Sequence, residues 1–442
     1  MARRNQLTLT SVPHEPNRVF GRVLGVAAFA ASVAIAGCVD QAGEAPAIAE
    51  RAADLELRLE IEHARERFEL SQLAISPASI RFTAGAEDVE LALTPNTQLL
   101  AADAVIERDG ERLTPAEAGV HVPLRGHVVG DPNSWVRVQL TPDGFEGLIY
   151  KDQDLWDIRE LDTGEIWMAK ADIRDYLDSP SYGQHRCANT DGEAEHATYV
   201  AHDGAAAAKS CAQISLSLTA DYTHVAALGG ASASENEMIA RINEADGIFR
   251  ADLNYGFVVG KVQSLSKAGG PSFNQAAAGS TPLTQFAAYK QSELSGFGLA
   301  HLFVARTKHG AVGMAYVGAT CSPRYGSGVS NYLGKGRSST IVATHELGHN
   351  FGADHDKSGS AYVMAPSVNS LAQTFSSASE SDIDSHVGSV SCFTPCTSAP
   401  APAPAPSTCS GACGGKAASG CWCDSQCSEY GDCCADHAQV CE

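Results

Sequence analysis

Positive charge is scarce in this sequence, and long apolar runs are scarcer still. Against 52 acidic residues stand only 31 basic ones, a formal charge of -21, which repels phosphate backbones and anionic lipid heads. Nucleic acid is thereby excluded as a partner. Outside Val23 to Ala36 no stretch approaches the ~20 apolar residues a membrane span needs, and that run is itself too short to cross. An integral membrane protein is excluded. No repeat of solenoid period is present either. What remains is a chain of 442 residues, 44% hydrophobic and 19% charged, the balance of a folded protein with two or three domains.

The N-terminus has the layout of an export signal: Arg3, Arg4, Arg18 and Arg22 precede the uncharged run, which ends in Ile35-Ala36-Gly37-Cys38. The small residues before Cys38 resemble a bacterial lipobox, in which the cysteine is lipidated. Ala34-Ile35-Ala36 also fits ordinary signal cleavage, which would leave Cys38 a plain thiol. Either way the expected compartment is extracytoplasmic, as a bacterial outer-membrane or cell-surface lipoprotein or as a secreted protein. Membrane contact is then expected only through a lipid on Cys38. Fourteen cysteines suit an oxidising compartment, and eight of them lie between Cys409 and Cys441.

Up to about residue 205 the apolar residues alternate: Val89, Leu91 and Leu93, then Val136, Val138 and Leu140, with turn residues at Gly130-Asp131-Pro132-Asn133 and Pro142-Asp143-Gly144. This pattern predicts antiparallel strands in a β-rich domain. From about Ser210 the texture becomes α/β. Ile214 to Leu218 alternates, and Phe257-Val258-Val259, His301 to Val304 and Met314 to Val317 read as strands. Ser234 and Glu237 form a capping-box pattern ahead of Met238, Ile239, Ile242, Ala245 and Phe249 at helical spacing. The Ala-Pro alternation from Ala399 to Pro406 favours an extended spacer of about 25 Å.

The stretch THELGHNFGADHD, Thr344 to Asp356, concentrates the chemistry. With Ser338 as N-cap and Ile341-Val342-Ala343 continuing the helix, His345 and His349 fall at i and i+4 on one face, so two imidazoles converge. Glu346 is rotated by about 100° and flanks them. A left-handed Gly352 turns the chain so that His355 returns to the same point. Three histidine ligands leave a fourth position for water, the arrangement of a catalytic rather than a structural zinc. Zinc would lower the pKa of that water to about 7, with Glu346 as proton acceptor. The implied chemistry is metal-assisted hydrolysis with one zinc ion. His301, His309 and His386 are isolated and read as core or surface histidines.

The HExxHxxGxxH pattern resembles the metzincin zinc proteases. The family also carries a methionine turn, and Met364, in Tyr362-Val363-Met364-Ala365, fits that role. Asp356 directly after the third histidine is typical of the reprolysin or adamalysin branch, which includes the ADAM proteases. Ala300 to Phe303 and Gly313 to Gly318, followed by Cys321, are similar to that branch's strand pair. The resemblance spans roughly residues 210 to 396. It implies an α/β (α+β) catalytic domain with a zinc-binding helix and a mixed sheet, and an extended protein or peptide substrate paired along Met314 to Gly318. It also suggests the disulfide Cys321–Cys392, which would leave Cys211 to pair with Cys396. The extra cysteine pairs of many animal members are absent.

The N-terminal segment resembles the same family's propeptide, chiefly over Leu124 to Ile158. His185-Arg186-Cys187 would then be a cysteine switch, although Ala188 stands where the family usually has glycine. Cys187 as a structural disulfide cysteine is the other reading. The run Cys409, Cys413, Cys421, Cys423, Cys427, Cys433, Cys434 and Cys441 resembles a somatomedin B domain, a protein-binding module too small to fold without disulfides. The expected order is a signal peptide of lipoprotein type over 1–37, a β-rich propeptide over 38–205, and a reprolysin-like zinc metalloprotease domain over 206–396. An Ala/Pro linker over 397–408 and a small disulfide-rich module over 409–442 follow. The expected function is a zymogen-derived zinc metalloendopeptidase acting on extracellular proteins. The alternative is an adhesion or binding protein on an idle metzincin scaffold, against which the intact Glu346 argues.

Overall fold

A computed structural model describes residues 66–170 and 210–396, apart from 77, 143, 162, 268–272, 274–280, 307–311 and 368–371, together with 409, 413–415, 423, 440 and 441. Cys38, Cys187, the Ala-Pro run, His309, Cys421, Cys427, Cys433 and Cys434 lie outside the described residues.

The alternating N-terminal segment closes on itself. Strands β1 (Glu66–Ser76), β2 (Ser79–Ala84) and β3 (Glu87–Pro95) come first, then β4 (Leu100–Arg108) and β5 (Glu111–Leu113). The segment continues with β6 (Pro123–Val128), β7 (Trp135–Leu140), β8 (Phe145–Lys151), β9 (Asp154–Glu160) and β10 (Ile166–Lys170). Eight of these, all but β4 and β5, form a closed antiparallel barrel in the order β1-β10-β9-β8-β7-β6-β3-β2. Every second residue points inward, so Val89, Leu91, Leu93, Val136 and Val138 fill the interior with Phe82, Phe145 and Ile158. Gly126 sits where a Cβ would be 1.8 Å from the Ala92 carbonyl oxygen, so only glycine permits this approach of β6 to β3.

The hairpin of β4 and β5 leaves the barrel and enters a second sheet. That sheet contains β11 (Ala212–Ala220), β12 (Tyr255–Ser264), β13 (Leu299–Val304), β14 (Gly313–Ala315) and β15 (Ser327–Asn331). Its order is β14-β15-β13-β11-β12-β4-β5, parallel except at β14 and β5, with β16 (Thr394–Pro395) pairing antiparallel to β11. The alternation up to residue 205 therefore does not mark one self-contained domain: Leu99, Ile106 and Ala118 belong to the same buried cluster as Ile214, Val259 and Phe257.

Among the described residues five helices accompany the sheet: α1 (Tyr222–Ala227), α2 (Ala231–Leu253), α3 (Pro282–Glu293), α4 (Arg337–Asn350) and α5 (Ser377–Ser389). Thr281 caps α3 with a reciprocal capping box, and Ser376 caps α5 through Ser379 N at 3.1 Å. Two expected caps are corrected. Helix α2 begins at Ala231 after Gly230, so Ser234 lies inside it and its Oγ meets His224 Nδ1 at 2.8 Å. Glu237 reaches Arg241 at 3.1 Å rather than the backbone. Helix α4 begins at Arg337 after Gly336, which places Ser338 within its first turn. At the far end of α2, Asn254 takes the left-handed conformation at φ 58, a conformation its short polar side chain tolerates.

Cys211 is bonded to Cys396 and Cys321 to Cys392. The first ties the start of β11 to the chain beyond β16; the second ties the loop after β14 to the end of α5. In the C-terminal module Cys409 pairs with Cys423 and Cys413 with Cys441.

Candidate metal centre

Helix α4 runs beneath the sheet with every residue from Ser339 to Asn350 buried. Its apolar residues Ile341, Val342 and Leu347 pack into the main core, which fixes the helix's rotation and so the direction in which His345 and His349 point. At its C-terminus Gly352 adopts φ +107, a conformation that favours glycine, and His355 follows three residues on. Ring centroids of His345 and His349 lie 4.7 Å apart, His349 and His355 4.7 Å, and His345 and His355 5.2 Å. One nitrogen of each ring lies within 4.8 Å of the others, an arrangement that could hold a metal ion.

The orientation of two rings is set by carbonyls that can only accept. His345 Nδ1 donates to Val363 O at 2.7 Å and His349 Nδ1 donates to Ala353 O at 2.7 Å. Each bond fixes the tautomer that leaves Nε2 as the lone-pair nitrogen facing the shared point. Burial, reinforced by the neighbouring His349 and His355, pushes the His345 imidazole well below its ordinary pKa, so the ring is neutral. Its Nε2 is buried without a hydrogen-bond partner, which leaves an acceptor that a cation would satisfy. Three imidazole ligands suit zinc or another first-row transition ion and do not suit calcium or magnesium, which take oxygen ligands. The residues present therefore fit zinc. His355 is half-buried, so the site has one open side.

Glu346 is fully buried on α4, and its carboxylate lies against β14. A Cβ built on Gly313 would stand 2.1 Å from Glu346 Oε1. No local pattern announced this contact, because it joins two elements 33 positions apart through the absence of a side chain. Beneath the helix Met364 is buried, and a Cβ on Gly348 would be 2.5 Å from its sulfur, so the turn and the helix are in direct contact. Asp356 N donates to Met364 O at 2.8 Å, while Ser376 Oγ donates to Asp356 Oδ1 at 2.5 Å. Asp356 thus joins the methionine turn to the start of α5.

β14 ends the sheet order and stops at Ala315, shorter than the stretch to Gly318 that resemblance implies. Beyond it the backbone turns to serve α4: Gly318 N donates to His349 O at 2.9 Å and Ala319 N donates to Asn350 O at 3.0 Å. These bonds satisfy the last carbonyls of the helix. Among the described residues, His301 and His386 do not join the triad. His301 is buried with Nε2 2.8 Å from Ser330 Oγ, and half-buried His386 meets Thr320 Oγ1 at 2.6 Å. Lys290, absent from any motif, is buried and donates to the carbonyls of Phe297, Ser322 and Pro323 at 3.0, 2.8 and 3.3 Å. It pins the loop between β14 and β15.

Residues 210–392 match the family model described as metallo-peptidase family M12, and residues 407–442 match the one described as somatomedin B domain.

Proposed function

Because residues 210–392 form a reprolysin-like metallo-peptidase domain of family M12 and residues 407–442 a somatomedin B domain, we propose that this chain is an exported zinc-dependent metalloendopeptidase of the metzincin type, made as a zymogen. The observation that carries the reading is the convergence of the His345, His349 and His355 nitrogens within 4.8 Å, beside a buried Glu346 and over a buried Met364. His345, His349 and His355 would hold the ion. Zinc there supplies Lewis acidity, for polarising a peptide carbonyl and ionising water.

The chain's own residues do the rest. The Val363 and Ala353 carbonyls keep two rings in the metal-binding tautomer. Glu346 takes the proton from the attacking water and passes it to the leaving amine, a role for which its buried seat against Gly313 holds the carboxylate in place. β14 lies at the end of the sheet order and offers its outer edge to an extended peptide backbone. Cys187 would keep the precursor latent by supplying a thiolate to the metal. The chain would work outside the cytoplasm, anchored through Cys38 if that residue is lipidated. The somatomedin B domain would engage a protein partner or a large substrate.

The somatomedin B match also suits an adhesion protein with an idle metzincin scaffold, and one assay separates the two. A proteome-derived peptide library is incubated with the protein, with and without a chelator, and the new termini are sequenced. Chelator-sensitive new termini are expected. Their absence, from protein carrying one zinc per chain and cut between 171 and 209, would favour the adhesion reading.

A further inference from the structure

Helix α2 is buried on both faces. From Ser234 to Phe249 every residue is buried, yet only one face is apolar: Met238, Ile242, Ala245 and Phe249 pack into the main core. The other carries Glu235, Asn236, Asn243, Glu244 and Asp246, a set that would ordinarily face water. Here it faces the N-terminal region. Arg108 of β4 grips Glu235 through Nε at 2.9 Å and Nη2 at 2.7 Å. Arg159 of β9 makes a bidentate pair with Glu244 at 3.0 and 3.0 Å, and Arg137 of β7 reaches Asp246 at 3.3 Å. Asn96 and Asn243 join side chains at 2.8 Å, and the Asn243 amide also donates to Leu124 O at 3.1 Å. Gly247 makes room, since a Cβ there would meet Trp135 at 2.6 Å and Arg137 at 2.8 Å.

The same region supplies backbone. β4 lies parallel to β12 from Leu100 beside Val259 to Arg108 beside Ser264, and Asp109 accepts from Ser266 N at 3.0 Å. Parallel sheets are covered on both faces, and β4 lies between β12 and β5, with Leu99 and Ile106 fully buried in the core they share with Ile214 and Val259. The contact also reaches α4. Glu244, held by Arg159, bonds Thr340 Oγ1, and Arg337 Nη1 donates to Leu155 O at 3.1 Å. Parting the two regions would open the sheet, split a core and withdraw support from the helix that carries His345.

We propose that the N-terminal barrel is not shed. The surface formed by the β12 edge and the polar face of α2 is a permanent docking site for residues 96–159 of this chain, and a cut between 171 and 209 yields a two-chain protein. The proposal takes from the function above only that such a cut is made, and its test reads assembly rather than peptidase activity, so the two fail separately.

A recognition sequence for a site-specific protease is inserted between 171 and 209 of the full chain, which is then cut and run on gel filtration in 0.15 M and 1 M NaCl. Both fragments are expected in one peak in both buffers, because a shared core is not screened by salt. The β12 amides Lys261 to Ser264 should stay protected from hydrogen exchange after the cut. Separation into two soluble folded fragments in either buffer, or loss of that protection, would overturn the proposal. In the cut protein Arg108→Glu should raise the dissociation constant at least tenfold, and Arg108→Glu with Glu235→Arg should recover most of it. A cut Arg108→Glu protein as tightly held as its parent would overturn the charge matching on α2.

Discussion

Replacing Gly313 by alanine adds one methyl group and should remove most activity. The site explains the size of the effect. A Cβ at 313 would lie 2.1 Å from Glu346 Oε1, 2.7 Å from Cδ and 2.8 Å from Cγ, all nearer than non-bonded carbon and oxygen approach. Glu346 is fully buried on a helix whose rotation the core fixes, so its carboxylate must swing to another rotamer while the imidazoles stay put. A displaced general base costs roughly 10²–10⁴ in rate, or about 3–5 kcal/mol in the barrier. Gly313 lies in a β-strand, where alanine meets no backbone strain, so the loss would belong to the carboxylate. The assay is kcat/KM on a chelator-sensitive peptide, with zinc content and Tm measured on the same sample. Activity should fall at least a hundredfold with zinc near one per chain. Gly388→Ala, on α5 where an added Cβ meets nothing within 4 Å, is the control and should be neutral. A Gly313→Ala enzyme within about threefold of the parent would refute the placement of Glu346.

Acid should destabilise the fold through two buried histidines outside the triad. Burial pushes His224 and His301 down to about 3, whereas in the unfolded chain they titrate near 6.5. Their neutral burial contributes in full above pH 6.5 and is lost as pH falls toward 3, at about 2 kcal/mol each by pH 5. Urea midpoints at pH 7.5 and pH 5 should therefore diverge less in His224→Gln/His301→Gln than in the parent, and equal divergence would contradict this. Lys290→Met leaves the carbonyls of Phe297, Ser322 and Pro323 without their donor. It should cost about 2–5 kcal/mol in equilibrium unfolding; an unchanged midpoint would show that water replaces the ammonium. Cys187→Ala should give a precursor that cleaves peptide before processing, and a fully latent variant would return Cys187 to a structural role.

The helix that carries His345 and His349 was legible because its pattern is local: histidines at i and i+4, a glycine at the turn and a third histidine all lie within eleven residues. Strand β15 was not. Ser327 to Asn331 is small and polar, without alternation, and becomes a strand only because β13 and β14 flank it on either side. Barrel closure was equally hidden, since it depends on β1 meeting β10 across 98 to 104 positions, from Glu69 beside Trp167 to Glu66 beside Lys170. The polar face of α2 shows the same limit. The arginines that bury Glu235, Glu244 and Asp246 stand 85 to 127 positions upstream, so no local pattern announces those pairs. Ser234 misled for a related reason: a capping pattern can be satisfied inside a helix when a buried histidine offers its hydroxyl another partner.

The central claim, that three imidazoles hold a zinc ion and Glu346 moves the proton, is tested most directly by Glu346→Ala, with zinc per chain and peptide turnover measured on one preparation. The account predicts one zinc retained and turnover below detection, since the ligands His345, His349 and His355 are untouched. Appreciable residual cleavage would contradict the role of Glu346, and loss of the zinc would contradict the three-histidine ligand set.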